Sequence, residues 1–253
     1  MSIQNNIPIT ILILAHHYSE KILSCLNSVN WASEVIVVVS GQASHGTWEN
    51  LERMYANVRC VFLDTEIIDF SDVRNKAITY AKHDWVFFLD SDEVVSRHAE
   101  SDLKEKITHD VQGMYVVRRD IFSGKELHWG ELRNVEIPRI FRKDSGRYSG
   151  TVHERVHLDG KITHSNIILF HCAHDSVTRF LDKIILYSRI EAKARQKNQK
   201  EISAFEVVIW PLGKFLQNYF LRLGFLDGFR GLMYAGIMSI HSYAVRALLY
   251  EKK

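Results

Sequence analysis

Short apolar runs alternate with amphipathic segments through the first half of the chain, and this alternation restricts the possible folds more than any other feature. Residues 9–14 and 35–39 are rich in Ile, Leu and Val, as in strands that are covered on both faces. Residues 19–29 between them carry apolar side chains at helical spacing. The order then repeats as a helix at 47–55, a strand at 58–63, a helix at 71–82 and a strand at 85–89. This order predicts an α/β fold with a mostly parallel sheet and helices on both faces.

The pattern changes after the fourth strand. A helix is predicted at 96–109, and the strand-like pieces at 114–119 and 135–141 lie close to glycine-containing turns. These pieces indicate an antiparallel addition to the sheet, and the remainder of the chain has a helical pattern. We therefore expect a catalytic α/β domain over residues 1–175 and a C-terminal helical extension over residues 176–253.

Charge and cysteine content exclude several classes of protein. A net charge of +2 from 32 basic and 30 acidic residues gives no overall field that would gather nucleic acid, so no nucleic-acid partner is expected. Cys25, Cys60 and Cys172 are widely spaced, which argues against a disulfide framework or a structural zinc site and indicates a reducing, cytoplasmic compartment. The apolar run 9–15 is too short to cross a bilayer and is typical of a buried strand.

Acidic residues follow the fourth strand directly, as Asp90-Ser91-Asp92-Glu93. Ligands of parallel α/β sheets bind at the carboxyl ends of the strands, where these side chains are delivered. Clustered carboxylates repel one another, and Mg²⁺ or Mn²⁺ already held by a diphosphate is a cation that would compensate them. The alternative is a solvated strand-to-helix turn without function. The position at a strand end favours the functional interpretation.

Two stretches of the chain carry a family resemblance. Residues 70–77 read Phe-Ser-Asp-Val-Arg-Asn-Lys-Ala, and residues 84–93 end in the Asp-x-Asp-Glu block. They resemble the Arg-Asn-x-(Gly/Ala) and Asp-x-Asp patterns of glycosyltransferase family 2, the inverting enzymes of the GT-A fold. Val152-His153-Glu154 and the aromatic stretch ending at 224–228 resemble the subgroup that adds a β-linked glucose to the lipopolysaccharide inner core.

The resemblance implies a Rossmann-like GT-A domain that binds a nucleotide diphosphate sugar, with a UDP-sugar as the expected donor. It implies that Asp90 faces the nucleoside or ribose and that Asp92 binds the metal. Arg74 and Asn75 would help to hold the donor. For Arg74 the alternative is an ion pair on the helix surface with Asp72 or another neighbour.

The chain departs from the family at the end of the second strand, where members usually carry an Asp. Val39 occupies that position here and is followed by Ser40. The missing carboxylate removes a charge-assisted hydrogen bond of about 1.5–3 kcal/mol, which leaves the identity of the donor open. His16 and His17 after the first strand either replace this contact or fill a strand-end loop. We count His17 and Ser40 among the expected donor contacts.

An inverting transfer needs one general base near the acceptor hydroxyl. The resemblance makes Glu154 the first candidate and Glu93 the second. For Glu154 the alternative is a salt bridge to Arg155, Arg139 or Arg142.

Histidines follow the apolar run 167–170, with His171 and His174 on either side of Cys172. Their spacing differs from that of a helical zinc pair. Likeness to some GT-A relatives makes His171 a candidate metal ligand beside Asp92, and a structural histidine is the alternative.

The C-terminal region combines basic and aromatic residues. Lys and Arg outnumber Asp and Glu over 177–200, and the aromatic residues of 210–243 are interspersed with further cations. This composition is typical of helices that lie in a membrane interface, and the uncharged run 231–245 is shorter than the ~20 residues of a spanning helix. We expect peripheral contact with anionic lipid on the inner face of the cell membrane. A dimer interface or a helical layer over the core is the alternative.

These expectations define the predicted function. The chain would transfer a hexose, with inversion and metal dependence, to a lipid-linked acceptor of the lipopolysaccharide core or a related surface glycan. The alternative, motivated by Val39, is a non-catalytic or donor-altered relative that acts as a binding or scaffold protein. A nucleotidyltransferase is a third interpretation, but the chain lacks the Gly-rich phosphate loop expected after the first strand.

Overall fold

The computed structural model of the protein describes residues 7–40, 45–63, 70–133, 135–150, 154–174, 176–197 and 202–251. The strands are β1 (Ile7–Ala15), β2 (Ala32–Ser40), β3 (Val58–Leu63), β4 (Trp85–Asp90), β5 (Glu93–Val95), β6 (Val111–Phe122), β7 (Lys125–Glu126), β8 (Val135–Arg142), β9 (Gly146–Ser149), β10 (Arg155–Leu158) and β11 (Lys161–His174). The helices are α1 (Lys21–Ser28), α2 (His45–Met54), α3 (Phe70–Tyr80), α4 (Ala99–Lys106), α5 (Val177–Lys197), α6 (Ala204–Leu216) and α7 (Gly228–Glu251). Short 3-10 turns lie at Gly130–Leu132 and Gly224–Asp227, and a π-helical turn at Gln217–Leu221.

Four parallel strands form one half of the main sheet, in the order β3-β2-β1-β4. Ile11 of β1 lies opposite Val35 of β2 and Phe87 of β4. The first strand therefore has a neighbour on each side, and the direction of strand succession reverses between β1 and β4. Ligands of α/β sheets bind at such a point, beyond the carboxyl ends of the strands. The predicted parallel α/β arrangement is confirmed.

The other half of the sheet is an extension in which β8 pairs antiparallel with β4. The order continues as β4-β8-β6-β11-β5, with β7 paired to β6. Although β5 follows β4 after only two residues, it lies at the other end of this order, because the sheet curls. In the antiparallel pairing of β5 with β11, His171 lies opposite Glu93. The sheet thereby brings the acidic turn and the end of β11 together.

The helix predicted at 96–109 is shorter in the structure, where α4 spans only Ala99–Lys106. The residues before α4 belong to the sheet and not to the helix. Glu93–Val95 forms β5, and the Ser96 N–H donates to the Ile168 carbonyl over 2.9 Å. Pairing of a three-residue strand depends on a partner far along the chain, and it leaves no periodic signal in the sequence.

Helices cover both faces of the parallel strands, as predicted. Alternate side chains of β1 point to opposite faces, so Ile11 packs in one hydrophobic cluster and Leu12 in the other. The first cluster includes buried residues of α1, α2 and α4, and the second includes Val73 and Ala77 of α3. Both clusters hold the carboxyl ends of β1, β2 and β4 in fixed positions.

Two compact units divide the chain, one of residues 1–118 with 136–171 and the other of residues 119–135 with 172–253. In the second unit, Phe122 packs against Phe180 and Tyr234. None of the helices within the described ranges combines the length and the apolar character that crossing a membrane requires. The functional boundary predicted at residue 175 stays a prediction.

Candidate active site

Two arginines hold the carboxylate of Asp90 at the end of β4. Arg74 of α3 donates from Nη2 to Oδ1 over 2.9 Å, and Arg139 of β8 donates from Nη2 to Oδ2 over 2.8 Å. Burial by itself raises the pKa of Asp90, but the charges of Arg139 and Arg74 outweigh burial and hold this pKa well below its ordinary value. Asp90 is therefore ionised, and each of its oxygens accepts a bond from a guanidinium.

Arg74 links this carboxylate to Glu154. Its Nε donates to Glu154 Oε1 over 2.6 Å, and its guanidinium carbon lies 5.4 Å and 5.3 Å from the ring centroids of Phe88 and Tyr148. Only 5% of the Arg74 side chain is exposed, which excludes the surface ion pair considered above. The arginine joins α3, the end of β4 and the start of β10 beneath the surface.

Glu93 is the buried acid of the turn, and its side chain contacts both Asp90 and Arg139. Its Oε2 accepts the main-chain N–H of Asp90 over 2.9 Å, and its Oε1 lies 3.4 Å from Nη2 of Arg139. Burial raises the pKa of Glu93, Arg139 opposes this effect, and the charge of Asp90 adds to it, so that the pKa lies above its ordinary value. The side chain is fully buried, which favours a structural contribution. Its predicted role as second base candidate stays a prediction.

The pair of strands β9 and β10 is held against α3, and Glu154 lies immediately before β10. The Asn75 amide donates to the Tyr148 carbonyl and accepts the Tyr148 N–H, each over 2.9 Å. The Ser71 hydroxyl donates to the Gly150 carbonyl over 2.6 Å. The amide of Asn75 thus holds the hairpin, and its predicted contact with the donor stays a prediction.

Three polar atoms around Arg74 are buried and have no hydrogen-bond partner among the described residues. They are Arg74 Nη1, Tyr148 Oη and Glu154 Oε2. Buried polar atoms in folded proteins are nearly always satisfied, and each exception calls for an explanation, of which a catalytic role or a bound ligand is one. Glu154 therefore uses one oxygen for Arg74 and keeps the other without a partner in the described structure. The salt bridges of Glu154 to Arg155, Arg139 or Arg142 that the sequence allowed are replaced by this bond to Arg74.

Asp92 is a partly exposed acid of the turn, and it lies beside the end of β11. Its Oδ1 is 3.8 Å from Nε2 of His171, and the two side chains are 28% and 18% exposed. This proximity follows from the pairing of β5 with β11, which sets His171 opposite Glu93. Among the described residues there is no group of three or more His, Cys, Asp or Glu that could hold a metal ion alone. The side chain of His174 lies outside the described residues.

An incomplete set of protein ligands fits a metal that arrives with a diphosphate. Mg²⁺ is typically bound through one or two carboxylates together with substrate phosphates and water, and a ligand cage built only from protein is the exception. A partly exposed carboxylate at the end of a parallel strand meets that requirement. The donor set of Asp92 with His171 is therefore compatible with a divalent cation, and their predicted roles as ligands stay predictions.

The predicted donor contacts His17 and Ser40 lie at the ends of neighbouring strands. Ser40 ends β2, and its hydroxyl is 3.5 Å from Nδ1 of His16. His17 is exposed just beyond β1, with its ring centroid 6.3 Å from that of His16. Val39, where the family has an acid, is buried in the core. The strand ends of β1 and β2 thus present polar groups next to the acidic turn, because Leu14 of β1 lies opposite Asp90.

Arg139 is the site residue that sequence reasoning missed, since it was considered only as a possible partner of Glu154. A signal was present, because an arginine interrupts the apolar residues of β8 in Ile-Pro-Arg-Ile-Phe. A buried cation needs a buried anion, and the acidic strand end was the obvious source. What the sequence did not supply was the pairing of β8 with β4, which brings Arg139 to Asp90.

Comparison with known proteins identifies related sequences. The profile described as Glycosyl transferase family 2 matches residues 10–168, more than half of the chain. An uncharacterised glycosyltransferase of Rickettsia prowazekii (strain Madrid E) is 22% identical over 239 residues, which cover 89% of this chain and 80% of that protein. The SPbeta prophage-derived glycosyltransferase SunS of Bacillus subtilis (strain 168) is 34% identical over 153 residues, 58% of this chain and 34% of that protein. The crystal structure of S. aureus TarS 1-349 is similar with a TM-score of 0.44 and 13% identity, and the match covers 96% of this chain and 90% of that one.

Proposed function

The chain belongs to glycosyl transferase family 2, and we propose that it transfers a hexose from a nucleotide diphosphate sugar, with inversion, to a glycan acceptor. The expected donor is a UDP-sugar. The expected acceptor is a lipid-linked glycan of the lipopolysaccharide core or a related surface glycan. The observation that carries this proposal is the acidic turn at the reversal point of the sheet, where Asp92 is accessible and Asp90 is held by two buried arginines.

In the proposed site, some carboxylates hold the acidic turn in shape and another binds the metal ion. Asp90 and Glu93, fixed by Arg139, set the shape of the turn, so that Asp92 projects from a rigid base. Asp92 and His171 would hold Mg²⁺ or Mn²⁺ together with the diphosphate of the donor. A divalent cation bound there would neutralise the charge that develops on the leaving diphosphate.

Glu154 is the proposed general base. As the acceptor oxygen forms its bond to the anomeric carbon, the bond from that carbon to the diphosphate breaks, and the hydroxyl proton passes to the carboxylate. The bond from Arg74 to Oε1 fixes the orientation of Glu154 and leaves Oε2 as the proton acceptor. Arg74 and Asn75 would support the donor site indirectly, by holding the turn and the hairpin, while His17 and Ser40 would contact the donor directly.

We also propose a place of action on the inner face of the cell membrane. A lipid-linked acceptor remains at the bilayer surface, so an enzyme that is held there meets it more often. In this proposal residues 1–175 bind the donor and carry out the transfer, and residues 176–253 face the membrane or the acceptor.

A donor panel tests the transfer itself. The purified chain is incubated with Mn²⁺, a truncated lipopolysaccharide acceptor, and UDP-, GDP- or dTDP-hexoses in turn, and nucleotide release and the acceptor mass are measured. One donor is expected to add a single hexose, and NMR of the product should show the inverted anomer. Tight binding of one donor with no release of nucleotide across a set of acceptors would contradict transfer and would support a scaffold protein.

A further inference from the structure

One face of α6 is apolar and points away from the protein. Five large apolar side chains recur at helical spacing along it, and each exposes between 44% and 70% of its surface. They are Phe205, Val208, Ile209, Leu212 and Leu216, named here the α6 stripe. Residues at these intervals share one side of a helix, which at 1.5 Å per residue makes a stripe of roughly 16 Å. Contiguous exposed apolar surface on a soluble protein marks a contact with another molecule.

The opposite side of α6 is the one that packs within the second unit. Val207 packs against the buried cluster that contains Val245, and Pro211 is buried with its carbonyl accepting from the Ser239 hydroxyl over 2.8 Å. Lys214 forms an ion pair with Glu131 of the same unit. The charged and polar groups of α6 are therefore used internally, while its largest apolar side chains remain outside. A helix that only covered a core would have the reverse arrangement.

Further exposed apolar residues follow α6 in the sequence. Phe220 and Leu221 in the π-helical turn are more than half exposed, as is Phe229 at the start of α7. Arg222 lies between them in sequence with a side chain that is 43% exposed. Aromatic and aliphatic residues accompanied by arginine are characteristic of helices that lie in the headgroup region of a bilayer.

Charge distinguishes a membrane from a second copy of the chain as the occupant. Residues 176–253 contain 13 basic and 6 acidic residues, whereas residues 1–175 contain 19 basic and 24 acidic residues. The excess of cations lies in the region that carries the α6 stripe. Two copies brought together through this region would repel each other, while an anionic lipid surface would attract it.

We propose that α6 lies in the plane of an anionic membrane, with the α6 stripe inserted among the lipids at the boundary of headgroups and acyl chains. The inference deepens the proposed location at the membrane by naming the surface that binds. It does not depend on transfer, because binding to lipid needs neither donor nor acceptor.

Vesicle flotation tests the α6 stripe with a matched pair of variants. Leu212→Glu places a charge on the stripe, and Met54→Glu places the same charge on α2 in the first unit, at a position of similar exposure (55% and 64%). The probe is a vesicle of equal parts phosphatidylcholine and phosphatidylglycerol. Wild type and Met54→Glu should float, and the partition coefficient of Leu212→Glu should fall by about tenfold or more, because burial of one Leu side chain alone accounts for roughly that factor. Pure phosphatidylcholine should bind wild type more weakly.

Three results would overturn the proposal. Wild type that stays at the bottom of the gradient has no membrane affinity, and Leu212→Glu that floats like wild type shows that another surface binds. A wild-type dimer that Leu212→Glu converts to a monomer, measured by light scattering without lipid, would assign the stripe to a contact between copies. Thermal unfolding of both variants serves as the control for folding.

Discussion

The acidic turn and α6 both reverse the usual distribution of side chains, but in opposite directions. In the turn, the charged groups of Arg74, Arg139 and Glu93 are buried, whereas in α6 large apolar groups face outward. Charged residues are rarely buried unless they are paired, and contiguous apolar patches are rarely exposed unless they bind something. The buried charges of the turn are paired with one another inside the protein. The exposed apolar side chains of α6 can be buried only by a partner.

This difference separates the effects that substitutions should have. Removing one charge from the turn leaves its partners buried without compensation, so the folded state itself loses stability. Changing a residue of the α6 stripe removes no internal contact, so the fold should remain while the contact with the membrane is lost. Stability and binding measurements on the same variants therefore distinguish the two regions.

The largest effect on stability is expected for Arg139→Met. The substitution leaves Asp90 and Glu93 without the cation they share, and breaking a buried ion pair typically costs about 3–5 kcal/mol. Urea denaturation measures the free energy of unfolding. Arg155→Met, at an exposed position of β10, is the control and should change the free energy of unfolding by less than about 0.5 kcal/mol. Equal losses for both variants would show that Arg139 is not the support of the turn.

A smaller loss is expected for Asn75→Ala. The side-chain amide satisfies both the N–H and the carbonyl of Tyr148, and unsatisfied buried groups cost about 1–3 kcal/mol. If the hairpin positions Glu154, kcat should fall by a larger factor than the affinity for nucleotide. Thr79→Ala, near the end of α3, is the matched control, because its hydroxyl is exposed and bonds only within the helix. An Asn75→Ala variant with full stability and full kcat would show that Asn75 neither holds the hairpin nor positions Glu154.

In the second unit, Ser203→Ala should cost about 1 kcal/mol. Ser203 caps α6, with its side chain accepting the Glu206 N–H and the Glu206 side chain accepting the Ser203 N–H. Chemical denaturation reports the change. Vesicle flotation should be unaffected, because Ser203 is not a residue of the α6 stripe. Loss of flotation with an intact fold would indicate that the end of α6 takes part in binding.

The smallest effect on stability is expected for Leu212→Glu, within about 0.5 kcal/mol of wild type. Its side chain is exposed and belongs to no buried cluster of the described residues. Destabilisation by more than about 2 kcal/mol, the contribution of a buried Leu side chain, would mean that the stripe is internal. The contrast between the two regions would then fail.

The sequence predicted the order of strands and helices well, because burial on both faces leaves continuous apolar runs in β1, β2 and β4. The strand at 58–63 has the predicted bounds. The sequence did not reveal β5 or the pairing of Arg139 with Asp90, because both depend on contacts between distant segments. For the C-terminal helices the basic and aromatic composition indicated an interfacial position, but composition does not tell which face of α6 is covered by protein. That required the packing of Val207 and Pro211.

The most direct test of the acidic turn is calorimetry of UDP binding with and without Mn²⁺, on wild type, Asp92→Ala and Asp84→Ala. Asp84 precedes β4 and is the matched control, since its exposed carboxylate lies at the other end of the same strand. Wild type and Asp84→Ala should bind UDP more tightly with Mn²⁺, and Asp92→Ala should lose roughly 10–100-fold of that affinity, as expected for one charged contact. Binding that keeps its full dependence on Mn²⁺ in Asp92→Ala would contradict the proposed site.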